Sequence, residues 1–169
     1  KTGFTNGAGR CLVTACKRDD LDIITVIIGA DTTKQRTADS IKLINYAYEN
    51  FEMVNIKEII ENKFNQWKEI NQGRIYVNKG VENQVKLLLE EISFEQMAVK
   101  KDEVDKIDIE VNSIYYFEAP VLENQIIGNL KIRIDEKEIE VLNIYAEKEI
   151  RKKEIIDYLK DFAIIIRNI

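Results

Sequence analysis

The residues best equipped for chemistry stand at the start of the chain: Lys1, Thr2 and Gly3. A lysine supplies a fixed positive charge, which acts far more strongly in a dry cleft than in water. A neighbouring threonine hydroxyl offers a hydrogen bond to an anionic group. A glycine lets a substrate backbone lie flat against a strand, because it has no side chain. Together they would make an anion-binding wall, with no nucleophile of its own. Without its surroundings, such a tripeptide reads first as a strand edge with a solvated lysine.

The rest of the sequence narrows the chemistry. The 169 residues contain no histidine, which removes the Ser-His-Asp and Cys-His triads and most zinc sites. The expected metal content and cofactor content are both none. The serines are Ser40, Ser93 and Ser113; none has a lysine three residues later or an asparagine two residues later. Cys11 and Cys16, on one strand, would stand about 16 Å apart, beyond disulfide reach. They read as small buried side chains. The net charge of −5 argues against a nucleic-acid role, because phosphate binding needs a basic surface. With 45% hydrophobic and 33% charged residues the chain has the make-up of a folded globular protein.

The elements that must position Lys1, Thr2 and Gly3 follow from periodicity. Residues 10–17 and 21–29 are β-rich runs separated by Asp19-Asp20, which predicts a hairpin. Asn6-Gly7-Ala8-Gly9 makes residues 1–5 the preceding strand. Residues 23–28 are apolar on both faces, so they predict a central strand covered on both sides. Thr32 with Gln35 fits a capping box, and Ile41, Ile44, Tyr48 and Phe51 then fall on one helical stripe, with Ala47 beside it.

Beyond Phe51 alternation dominates. Ile107, Ile109 and Val111 alternate with polar residues, as do Ile132 and Ile134, and residues 135–137 read as a hairpin loop before a return strand at 138–146. Residues 53–58, 73–77 and 85–89 are further strand candidates. Trp67 and Tyr115-Tyr116-Phe117 could form a stacking platform for sugars or peptides, but aromatics at strand positions predict core. From residue 147 the period is helical, with Ile155, Leu159, Phe162, Ile166 and Ile169 on one stripe, widened by Ile156 and Ala163.

Three stretches in this order carry a resemblance. They are KTGFTNGAGRCLVTA, IITVIIGA and QRTADSIKLINYAYENF, followed later by FEAPVLENQIIGNLKIRID. The chain resembles the serine-type D-alanyl-D-alanine carboxypeptidases of the low-molecular-weight penicillin-binding group. Lys-Thr-Gly is one of three active-site motifs of penicillin-binding proteins and class A β-lactamases, beside Ser-x-x-Lys and Ser-Asp-Asn.

The resemblance implies an α+β fragment from the C-terminal end of a penicillin-binding/β-lactamase-like domain (residues 1–51). An all-β, sandwich-like domain (52–147) and a C-terminal amphipathic helix (148–169) would follow. It implies a hydrolase that trims the terminal D-alanine from peptidoglycan stem peptides through a serine acyl-enzyme, with β-lactams as inhibitors. Lys1, Thr2 and Gly3 would be catalytic. The Phe4 backbone N–H would be an oxyanion donor, Thr5 would reach the substrate carboxylate, and Arg36 would add positive potential.

With the other two motifs absent, this chain alone is expected to be inactive. Because it opens on a strand without Met, an N-terminal part carrying the nucleophile and a targeting signal is expected upstream. The expected location is the extracytoplasmic face of the bacterial membrane, with residues 148–169 as a possible membrane contact. Two alternatives stand beside this: a non-catalytic β-sandwich stalk or partner-binding module, and a β-lactamase-related enzyme, against which the appended β-domain argues.

Overall fold

The computed structural model describes residues 1–167. The chain packs as two compact units, one made of Lys1–Asn55 with Gln96–Asp105, the other of Ile56–Glu95 with Lys106–Ile169.

The first unit is built on an antiparallel sheet of β1 (Thr2–Thr5), β2 (Gly9–Arg18) and β3 (Leu21–Ala30), in that order. Asp19, at φ 53°, turns the hairpin between β2 and β3. The loop before β2 closes on a bulge in β3, where the Gly29 N–H donates to Ala8 O at 3.0 Å. Gly9 and Gly29 both have positive φ, and a Cβ on Gly9 would stand 3.0 Å from Gly29 Cα, so this crossing requires glycine.

Helix α1 (Thr33–Asn50) begins as the capping box predicts: the Gln35 N–H donates to Thr32 Oγ1 at 3.1 Å. Its buried face differs from the expected stripe. Ser40 is only 2% exposed, its hydroxyl 2.9 Å from Thr25 Oγ1 and donating to Thr14 Oγ1 at 3.1 Å, whereas Ile41 is exposed. Three mutually satisfied hydroxyls bury without the desolvation cost of an unpaired one, so a serine takes the place an isoleucine was expected to fill. The expected coverage of β3 also needs correction. β3 is an edge strand here, and only one of its faces lies under α1. On the other face Ile24 and Ile28 are 71% and 70% exposed, with Val26 and Val13 beside them. The unit is completed by β4 (Phe51–Val54), paired antiparallel with β7 (Met97–Lys100). Residues 97–100, expected in the β-domain, thus belong here through a strand pairing that no local pattern reveals.

The second unit opens with α2 (Ile56–Asn71), in a stretch expected to belong to an all-β domain, with a strand at residues 53–58. Ile56, Ile60 and Phe64 are buried at i, i+4, i+8, with Trp67 stacked on Phe64. That is a helical face, and it corrects the all-β reading of this segment. Next come β5 (Tyr76–Asn78), β6 (Leu87–Leu89), β8 (Ile107–Ser113), β9 (Tyr116–Glu118), β10 (Ile126–Ile134) and β11 (Lys137–Ala146). The main sheet has the order β6-β11-β10-β8, all antiparallel; β5 and β9 form a separate parallel pair. Asp135 and Glu136, both at positive φ, make the tight β10–β11 turn where the sequence placed it. Ile127, Leu130, Ile132 and Ile144 are fully buried and define the core. The Ala119-Pro120 peptide is cis.

Helix α3 (Ile155–Arg167) carries the expected apolar stripe, but it starts later than predicted and leaves Ile155, Leu159 and Phe162 exposed. Ile169, also assigned to that stripe, lies outside the described residues. The start of α3 is set by Asp157. Its carboxylate accepts two bonds from Arg151, at 2.6 and 3.0 Å, and one from the Glu154 N–H at 3.0 Å.

Candidate functional site

The Lys-Thr-Gly segment lies along the outer strand of the first sheet. Lys1 and Val13 exchange two backbone bonds: the Lys1 amino group donates to Val13 O at 2.8 Å and the Val13 N–H to Lys1 O at 2.9 Å. In an antiparallel ladder such pairs alternate with pairs whose backbone groups point away from the partner. With Gly3 opposite Cys11 and Phe4 opposite Arg10, the N–H and C=O groups of Thr2 and Phe4 point out along the open edge of β1. A substrate backbone could add to this edge as a further strand.

Side chains alternate as well. Lys1, Gly3 and Thr5 share the face of Val13, the face left bare of cover. Thr2 and Phe4 project to the α1 side, where the Arg10 guanidinium sits 5.2 Å from the Phe4 ring centre. Thr5 also shapes the turn, accepting the Ala8 N–H at 3.0 Å. Among the described residues no carboxylate pairs with the Lys1 ammonium.

Arg36 is placed apart from this group. It is half-buried on α1, and its Nη1 donates to Cys11 O at 3.4 Å, while Nε is buried without a partner. The guanidinium is thus committed to the backbone of β2. Lys1, Gly3, Thr5 and the Phe4 N–H come together, and Thr2 and Arg36 lie on the other side of the sheet. Among the described residues no group of three or more metal-ligating side chains converges.

In the other unit the run Tyr115-Tyr116-Phe117 was expected to be core. Phe117 is buried as expected, but Tyr115 is 44% and Tyr116 55% exposed, and Tyr116 meets Tyr76, itself 47% exposed. Their rings stack with centroids 6.3 Å apart and 27° between planes. The parallel register sets Tyr76 beside Tyr116 and Asn78 beside Glu118. Glu118 Oε1 accepts from Asn78 Nδ2 at 2.7 Å and from the Tyr116 hydroxyl at 3.0 Å, and Lys79 Nζ stands 3.6 Å from Oε2. The Asn78 amide foremost, then the Tyr116 hydroxyl, holds the Glu118 carboxyl below the usual range, and the same bond raises the Tyr116 phenol. The signal was present in the sequence: burying Val77 and Phe117 forces their neighbours outward together.

Residues 64–152 match the family model of the penicillin-binding protein 5 C-terminal domain, and the chain belongs to that family. Among curated proteins it is 26% identical over 161 residues to the D-alanyl-D-alanine carboxypeptidase DacF of Bacillus subtilis, covering 95% of this chain and 39% of that protein. It is 29% identical over 166 residues to DacA of Haemophilus influenzae, covering 98% and 40%. The chain thus spans about two fifths of the length of these relatives. In fold it resembles the carboxypeptidase DacD of Francisella tularensis, with a TM-score of 0.59 and 23% identity over 90% of this chain and 36% of that one. It also resembles penicillin-binding protein 5 of Haemophilus influenzae, with a TM-score of 0.55 and 24% identity over 90% and 42%. The homologues are carboxypeptidases, and the mostly β architecture with a few helices agrees with the family.

Proposed function

We propose that this chain is the C-terminal portion of a serine-type D-Ala-D-Ala carboxypeptidase of the bacterial cell envelope, carrying one wall of the active site. The observation that supports it most is the joint position of Lys1, Gly3 and Thr5 on a bare apolar face, beside the outward-pointing Phe4 N–H. An N-terminal part with the nucleophile would seat on that face and bury Val13, Ile24, Val26 and Ile28.

In the completed cleft a serine hydroxyl attacks the carbonyl between the two terminal D-alanines of a stem peptide. The Phe4 N–H and the N–H of that serine stabilise the oxyanion. D-alanine leaves, and water hydrolyses the ester. Lys1 adds positive charge near the reacting groups, Gly3 allows close approach of the substrate strand, and Thr5 meets the terminal carboxylate. Thr2 and Arg36 act from the α1 side, setting the strand and the local potential. β-Lactams would stall the enzyme at the acyl stage.

Fluorescent penicillin tests this reading. A full-length protein that includes this chain should label covalently, and the 169-residue chain alone should not. A full-length protein that never labels sinks the enzymatic reading.

A second reading applies to the chain by itself: the unit with residues 106–167 acts as a spacer or partner module. The exposed apolar residues of α3 favour it, with the outer face of the membrane as the surface contacted. Among the described residues no helix is long and apolar enough to cross a membrane.

A further inference from the structure

The exposed tyrosine pair does not stand alone. Tyr76 and Lys79 also line a cavity of about 710 Å³, together with Lys153, Asp161, Ile164 and Ile165. That volume lies in the range of small-ligand sites. Two amide residues, Asn83 and Gln84, also line this space. The platform and the cavity thus share Tyr76 and Lys79.

Its chemistry is mixed in a particular way. Two aromatic rings are half bare, a costly exposure unless something covers them. Beside them stands a carboxylate already oriented by two donors, with Oε2 only loosely met by Lys79. Lysines and carboxylates are both present, so the surface selects neither anions nor cations. Aliphatic side chains at the cavity wall are few, Val81, Ile164 and Ile165, with Val77 buried beneath. A docking groove for a protein helix would need a longer apolar row.

We propose that this surface binds an N-acetylated amino-sugar strand, the glycan of the same polymer whose stem peptides the active site would trim. The C–H face of a pyranose packs on the outer tyrosine ring. Ring hydroxyls donate to Glu118 Oε2 and accept from Lys79 and the two amides. Acetamido methyl groups reach the isoleucines of α3. This assignment rests on the peptidoglycan reading above. It deepens that reading by giving the appended unit a role of its own, in which it holds the glycan while a neighbouring stem peptide enters the cleft.

A calorimetric titration of the 169-residue chain with chitotetraose, a β-1,4-linked N-acetylglucosamine tetramer, tests this directly. Cellotetraose, which lacks the acetamido groups, and a pentapeptide ending in D-Ala-D-Ala serve as comparisons. Chitotetraose should bind, cellotetraose at least tenfold more weakly, and the pentapeptide should not compete. Y76A and Y116A should each weaken binding tenfold or more, and Y46A, an exposed tyrosine of the other unit, should leave it unchanged.

Thermal melts check that the variants fold. If Y116A is unfolded, Y116F decides: it keeps the ring, frees Glu118 from one donor, and should bind within a few-fold of the unaltered chain, whereas E118A should bind at least fivefold more weakly. No binding of chitotetraose at 10 mM, equal binding by folded Y76A and Y116A, or competition by the pentapeptide would each overturn the proposal. Its failure is separable from failure of the enzymatic reading: penicillin labelling of full-length protein should be unaltered by Y116A, and glycan titration does not depend on acylation.

Discussion

Lys1 and Val13 form a reciprocal backbone pair at the end of the β1–β2 ladder, with both bonds under 3.0 Å. That single pairing sets the phase of the whole strand. It turns the Phe4 N–H to the open edge and puts the Lys1, Gly3 and Thr5 side chains on the uncovered face. A shift by one residue would reverse every one of these assignments. The candidate site is therefore a consequence of register.

Removing the charge of Lys1 should damage chemistry and leave folding intact. In full-length protein, Lys1→Ala is expected to slow penicillin acylation about 100-fold, the scale of losing one well-placed electrostatic contact. In the 169-residue chain, where Lys1 and β1 are exposed, the same substitution should leave the melting temperature unchanged. Stopped-flow acylation and a thermal melt measure the two. An unchanged acylation rate would remove Lys1 from the active site.

Ser40 should matter far more to stability than an ordinary helix serine. Ser40→Val leaves Thr14 and Thr25 without their buried partner and should cost about 1–3 kcal/mol in urea unfolding. An exposed helix neighbour, Lys42→Ala, should change stability by less than about 0.5 kcal/mol. Equal effects would mean that the hydroxyl trio does not hold α1 to the sheet.

The bare face predicts self-association of the isolated chain. Replacing Ile24, Val26 and Ile28 together by threonine keeps β-propensity and removes the apolar patch. Light scattering should show a smaller mean mass for the triple variant than for the unaltered chain at equal concentration. The same substitutions in full-length protein should destabilise it, if the N-terminal part covers this face.

Asp157 should set the acid sensitivity of α3. Its carboxyl is lowered to about 2, from an ordinary 3.8, chiefly by the Arg151 guanidinium and then by the Glu154 N–H. Because the folded value is the lower one, the contribution is full above about 4 and is lost as pH falls through about 2. Amide protection factors at the start of α3, corrected for the intrinsic exchange rate, should fall over that window. In Asp157→Asn the protection factor should already be lower at neutral pH and should not fall further over that window.

The apolar stripe of α3 should report membrane contact directly. If α3 is the contact, liposomes should float the intact chain and not a version shortened after residue 147. Equal flotation of both would rule out α3 as the contact.

The sequence by itself determined the local events. The β2–β3 hairpin, the Thr32 cap, the β10–β11 turn and the amphipathic α3 all depend on residues within a few positions of each other, so pattern and turn chemistry suffice. It also gave the letters Lys1-Thr2-Gly3 and showed that no serine of the chain has a lysine three residues later.

What only the tertiary structure decided depends on distant partners. Helix α2 was obscured because its buried residues, Ile56, Ile60 and Phe64, are mixed with exposed Ile59 and Ile70, and burial is settled by what packs above. The pairing of residues 51–54 with 97–100 crosses more than forty positions and leaves no local mark. Ser40 displaced Ile41 from the sheet because two strand hydroxyls were waiting for it. The tyrosines at 76 and 116 met only through a parallel pairing, in which register joins residues far apart in sequence. For the same reason the motif at 1–3 could be read from its letters, while the direction in which it faces could not.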